Sequence, residues 1–137
     1  MLKPGGMVGI RNDDADGYLM TPSNPLLVQT WNLMASLIQH NGGDLYGAKR
    51  SRSWLNEAGF ANVAASASYE CYGSQEETAW LGQFHDQALM DLKDRFAELG
   101  LADYDTIEKI CKAWRTWGEH QDAFFAKSWC EAVGWKA

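Results

Sequence analysis

Long apolar runs are missing from this sequence. None approaches the ~20 residues that a membrane-spanning helix needs, so no membrane association is expected. Met1-Leu2-Lys3 leads straight into Pro4-Gly5-Gly6 without the apolar core of a secretory signal, so none is expected. Basic residues are outnumbered, 12 Lys and Arg against 18 Asp and Glu, and the net charge of -6 argues against a general nucleic-acid binder. Cysteine is sparse: Cys71, Cys111 and Cys130 are odd in number and lack C-x-x-C spacing. The expectation is reduced core thiols in a cytoplasmic protein. His40, His85 and His120 are scattered, with no pair at a zinc-ligand spacing, so no metal site is expected. Nothing in the order of the residues brings a Ser-His-Asp or Cys-His set together, so no catalytic residue is assigned. Internal repeats, low-complexity tracts and linkers are absent too.

What is there is a chain of 137 residues, 46% hydrophobic and 22% charged, enough for one domain with its own core. Seven Trp are more large aromatics than one small core holds, which points to a pocket or an oligomer interface. The segment Ala123–Lys136 alternates with period two. Phe125, Trp129, Val133 and Trp135 share one side with Lys127 and Glu131; Phe124, Ala126, Ser128, Cys130, Ala132 and Gly134 share the other. This reads as a long strand whose small-residue side packs closely beneath a helix or ligand.

Upstream, Met7–Arg11 reads as a short apolar strand covered on both faces, after a Pro-Gly-Gly turn. It ends in the acidic turn Asn12–Gly17. Pro25 opens a helix capped by Ser23 or Asn24, with Leu27, Trp31, Met34 and Ile38 on one stripe and a stop at Asn41-Gly42-Gly43. A shorter helix over Gly47–Ala58 has Trp54, Leu55 and Ala58 on its dry face. A strand at Asn62–Tyr72 turns Val63, Ala65, Ala67, Tyr69 and Cys71 to one side. Ser74-x-x-Glu77 is a capping box for the longest helix, with Leu81, Phe84, Ala88, Leu92, Phe96 and Leu99 on its stripe. Asp105-x-x-Glu108 repeats the pattern before Ile107, Ile110, Cys111 and Trp114. The order is β, α, α, β, α, α, β.

Candidate ligand contacts follow from position. Asp13 and Asp14, with Tyr18 behind them, lie beyond the carboxyl end of a strand, where ligands bind in open α/β sheets. His40 and Asn41 end a helix, and Tyr69 and Tyr72 are placed to be core rings or a pocket wall. Trp129 reads as core, and Lys49–Arg52 as a solvated helix face.

Three features in order carry a resemblance. Leu2-Lys3-Pro4-Gly5-Gly6 precedes an apolar strand; Leu55-x-x-Ala58-Gly59-Phe60 joins a helix to a strand; and Phe124–Trp135 closes the chain. Together they resemble the second half of class I S-adenosylmethionine-dependent methyltransferases of the ubiquinone and menaquinone biosynthesis type. The resemblance implies an α+β fold: a small three-stranded mixed sheet with the last strand central and antiparallel, packed with four helices. It further implies a single domain over residues 1–137 with a helical insertion at about 74–118. The family's cofactor elements, a Gly-rich loop after its first strand and acids after its second and third, have no counterpart here. No cofactor-binding residue is therefore assigned, and S-adenosylmethionine is expected only with a complementary half. The function implied is that of a substrate-side fragment, inactive alone. Its pocket would take Asp13, Asp14, Tyr18, His40, Asn41, Tyr69 and Tyr72. The alternatives are a stand-alone oligomeric protein binding a small apolar or aromatic molecule, and a purely structural oligomer. A homodimer is expected, with Met7–Arg11 or the Leu27, Trp31, Met34 stripe at its seam.

Overall fold

The last strand, β4 (Phe124–Lys136), is the one to which the other strands pair in a computed structural model that describes residues 2–137. The elements run β1 (Met7–Asp13), β2 (Leu19–Thr21), α1 (Pro25–His40), a 3-10 turn (Ala48–Arg50), α2 (Ser51–Glu57), β3 (Phe60–Tyr72), α3 (Gln75–Glu98), α4 (Tyr104–Gly118) and β4. The fold is α+β, with four helices and a four-strand antiparallel sheet. β4 pairs with both β1 and β3, as expected of an inserted last strand. The expected three-stranded mixed sheet is corrected by β2. Three residues carry too little periodicity to announce a strand, and only pairing with β4 makes one: Leu19 opposite Ala126, Thr21 opposite Phe124.

Contacts divide the chain into two compact units. The first holds residues up to Tyr18, Leu45–Glu70 and Lys127–Ala137; the second holds Leu19–Asp44 and Cys71–Ala126.

In the first unit β1 pairs antiparallel with β4 from Met7 opposite Trp135 to Asp13 opposite Trp129. Lys136 N–H bonds Gly6 O and Asp14 N–H bonds Ser128 O, so even-numbered β1 residues bond to β4. Met7, Gly9, Arg11 and Asp13 therefore turn their backbone groups outward, where β1 has no strand neighbour among the described residues. The small side of β4 is buried at Ser128, Ala132 and Gly134. A Cβ on Gly134 would lie 3.0 Å from Phe60 and 3.5 Å from Leu55, which explains the absence of a side chain beneath α2. The opposite side is polar: Glu131 accepts from Arg11 Nε (3.2 Å), Ser66 (3.1 Å) and Ser68, and its carboxyl is held below the usual range, chiefly by Ser68.

Several sequence expectations are corrected in this unit. β1 is not covered on both faces, since Met7, Gly9 and Arg11 are exposed. Trp129 is only half-buried. The Arg11 guanidinium lies 4.0 Å from its ring centroid, and its Nε1 donates to Glu70 (3.0 Å), because it sits on the polar side of β4. Trp54 is exposed beside Arg50, leaving Leu55 as the dry contact of α2. On β3, Val63 is partly covered, while Ala65, Ala67 and Tyr69, which the alternation places on one side with it, are exposed.

The second unit is built on the α3–α4 hairpin. α3 has the expected capping box, with Ser74 accepting from Glu77 N–H (3.3 Å) and Glu77 from Ser74 N–H (2.9 Å). α1 is capped by Asn24, which accepts from Leu26 N–H (2.9 Å), with Pro25 in the first turn. The cap of α4 is Asp103, two residues earlier than expected, accepting from Thr106 N–H (2.8 Å). Ile107, Ile110, Cys111, Trp114 and Trp117 form its buried face. Burying one such aliphatic side chain stabilises by about 1.5–3 kcal/mol, against about 1 kcal/mol for a cap, so packing rather than capping fixes this helix. On α3 the buried stripe is Thr78, Leu81, Gly82, Leu89 and Phe96; Phe84, expected inside, is half exposed. Of the three thiols only Cys111 is buried, while Cys130 is intermediate and Cys71 exposed, which corrects the expectation of three core cysteines.

Candidate functional site

The acidic turn after β1 folds because its own side chains satisfy its backbone. The Asp14 carboxylate accepts from Asp16 N–H (3.0 Å) and from Lys49 N–H (3.2 Å) in the 3-10 turn. Lys49 Nζ lies 3.4 Å from Asp14 and 2.6 Å from Asp16, and its pKa is raised, first by the Asp16 hydrogen bond. Asp14 also donates its N–H to Ser128 O (3.1 Å) and accepts the Ser128 hydroxyl on its carbonyl. With 4% exposure it anchors the turn onto β4. Asp13 pairs with Lys127 (3.3 Å). The Tyr69 hydroxyl donates to Gly17 O (3.1 Å), tying β3 to the same turn. Tyr18 lies near Tyr46, whose pKa is raised by burial, by the charge of Asp16 and by Tyr18.

Asp13, Asp14, Tyr18 and Tyr69 thus belong to the first unit, and His40, Asn41 and Tyr72 to the second. His40, exposed in the last turn of α1, lines an open groove of about 340 Å³ with Ser36, Gln39, Leu99 and Leu101. Asn41 is the C-cap of α1, its N–H bonded to Leu37 O (3.2 Å) and Ile38 O (3.1 Å). Tyr72 lies parallel to Trp80 (6.0 Å, 2°).

No family model matches this sequence, and no curated protein matches it either.

Sequence reasoning missed the aromatic assembly of the second unit. Trp114 Nε1 donates to Thr30 Oγ1 (2.8 Å) in the core, and the His85 ring stacks on Trp114 (4.1 Å, 23°). Trp31, Trp80, Phe84 and Phe125 surround this pair or extend from it. The i, i+4 spacing of Trp80 and Phe84 was the available signal, but a helical stripe alone does not say which side faces solvent.

Beside it, α3 and α4 form an open groove of about 490 Å³ that includes Asp86, Met90, Cys111, Lys112 and Arg115. Arg115 bonds one Asp86 oxygen (2.6 Å), while Asp86 Oδ1 and Trp117 Nε1 are buried without a hydrogen-bond partner. Burial pushes the Cys111 thiol up to about 12, with Asp86 adding to the shift. Among the described residues no group of three or more His, Cys, Asp or Glu is placed to hold a metal ion. Among the described residues no helix is long and apolar enough to cross a membrane.

Proposed function

We propose that this chain supplies the acceptor side of a class I S-adenosylmethionine-dependent methyltransferase and acts with a cofactor-binding portion. The observation that supports the reading is the pairing of β4, the last strand in sequence, with both β1 and β3. Apart from the short β2, the order strand, two helices, strand, helical hairpin, last strand is the one that the resemblance around Leu2–Gly6 and Leu55–Phe60 implies. Neither strand-to-helix junction here, Pro22-Ser23-Asn24 or Gly73-Ser74, has the repeated glycines of a cofactor-cradling loop. Methyl transfer depends on holding the acceptor atom in line with the sulfonium methyl, so these residues contribute positioning rather than the methyl donor. The open outer edge of β1 is where a further strand would join.

The test is calorimetric titration of the 137-residue chain with S-adenosylmethionine. No saturable heat is expected for the chain alone, and methyl transfer is expected once a cofactor-binding half is supplied. One-site micromolar binding by the chain alone would overturn this division of labour.

A further inference from the structure

The open groove of about 490 Å³ on the α3–α4 hairpin has its charges sorted by sign. Toward the start of α4 it is lined by Asp105, Glu108 and Lys109, two acids against one base. Toward the end of α4 it is lined by Lys112 and Arg115, with Asp86 facing them from α3, two bases against one acid. Lys109 takes Asp105 (2.6 Å), and Arg115 takes Asp86 (2.6 Å). Glu108 and Lys112 remain. They stand at the i, i+4 spacing and in the order that favours an ion pair, yet among the described residues neither side chain has an ion-pair or hydrogen-bond partner. The groove also takes in the buried Cys111 and the part-buried Met90, which give it an apolar portion.

We propose that this groove is a binding site for a short zwitterionic peptide of two or three residues, its ammonium at Glu108 and its carboxylate at Lys112 and Arg115. The order of signs by itself suits the dipole of α4, with acids near its start and bases near its end. The dipole requires no groove, however, and it does not account for Asp86, whose Oδ1 is buried without a hydrogen-bond partner. An unsatisfied carboxylate oxygen costs stability, so joining two helices does not explain this residue. What its other oxygen does is fix the Arg115 guanidinium in the groove with N–H donors to spare. Spacing then selects the ligand. Glu108 and Lys112 are four residues apart, about 6 Å along the helix axis, and Glu108 and Arg115 are seven apart, about 10 Å. An extended peptide spans about 3.5 Å per residue, so two residues reach the first separation and three the second. A single amino acid holds its charges too close together. A diamine brings nothing to the positive end, and a dicarboxylate brings nothing to the negative one. This site stands independently of the methyl-transfer reading, because it lies wholly on α3 and α4 and its test needs no cofactor.

The experiment is a two-dimensional ¹H–¹⁵N titration of the whole chain with L-alanyl-L-leucine at low salt. The expected result is saturable movement of the backbone signals of Glu108, Lys112 and Arg115 while those of β1 stay in place. The N-acetylated and the C-amidated dipeptide each lose one end charge, and free L-alanine brings its two charges too close. All three should bind several-fold more weakly than the free dipeptide. Glu108→Gln and Lys112→Gln change exposed side chains that hold nothing else in the fold, and each should weaken binding several-fold with the circular dichroism unchanged. Four results would each overturn the proposal: no saturable movement, equal movement of the β1 signals, a blocked dipeptide or alanine binding as tightly as the free dipeptide, or unchanged affinity in either variant.

Discussion

Asp14 shows what one side chain does when its partners come from distant parts of the chain. Composition announced a turn at Asn12–Gly17, but β1 runs on through Asn12 and Asp13, so the turn begins at Asp14; the ion pair with Lys49 and the bonds to Ser128 depend on contacts 35 and 114 residues away. The cysteines make the same point and give a prediction. Nothing in their spacing separates Cys111, at 1% exposure with its pKa pushed up to about 12, from the exposed Cys71. Only the thiolate reacts with iodoacetamide, so in the folded protein at about pH 8 Cys71 should alkylate more than about a hundredfold faster than Cys111. Mass mapping of the labelled peptides checks this, and urea should abolish the difference. The linkage has a definite sign. The unfolded thiol loses its proton before the folded one does, so this group's contribution to stability falls as pH rises from about 8.5 toward 12.

At the scale of elements, the α3–α4 hairpin is held close by two glycines that face each other. A Cβ on Gly82 would sit 2.6 Å from the Trp114 carbonyl oxygen, and one on Gly118 would sit 2.8 Å from the Thr78 carbonyl. Backbone cannot give way as a flexible side-chain end can, so Gly82→Ala should force the helices apart. Overpacking costs about 1–3 kcal/mol, and the gain in helix propensity returns at most about 1 kcal/mol. A net loss of about 1–2 kcal/mol is expected in urea unfolding, whereas an unchanged midpoint would mean that the hairpin is loosely packed. The helices themselves were readable: the Ser74–Glu77 capping box and the apolar stripe of α4 are local signals. The stripe of α3 was readable at Leu81 and Phe96, both buried, but not at Phe84, because Phe84 and Leu89 are both apolar and only the position of α4 separates them.

For the whole molecule, the outer edge of β1 carries the third prediction. Its outward residues, Met7, Gly9, Arg11 and Asp13, include no proline and present unpaired backbone groups. Light scattering of the purified chain at micromolar concentration should give a homodimer mass. Gly9→Pro deletes an outward N–H without removing a bond to β4, so it should lower the dimer fraction while the circular dichroism stays unchanged. A monomer mass for the parent chain would refute the edge as a self-association surface.

The sequence by itself determined the helices, the capping box of α3, the long final strand and its small-residue side, because each is written in residues close together along the chain. Tertiary structure decided the rest. β2 exists only because β4 lies beside it. Trp129 meets Arg11 and Glu70 because strand pairing brings distant segments onto the polar side of the sheet. The aromatic assembly joins residues of α1, β3, α3 and β4, and no spacing along the chain records that four separate elements turn their rings to one place.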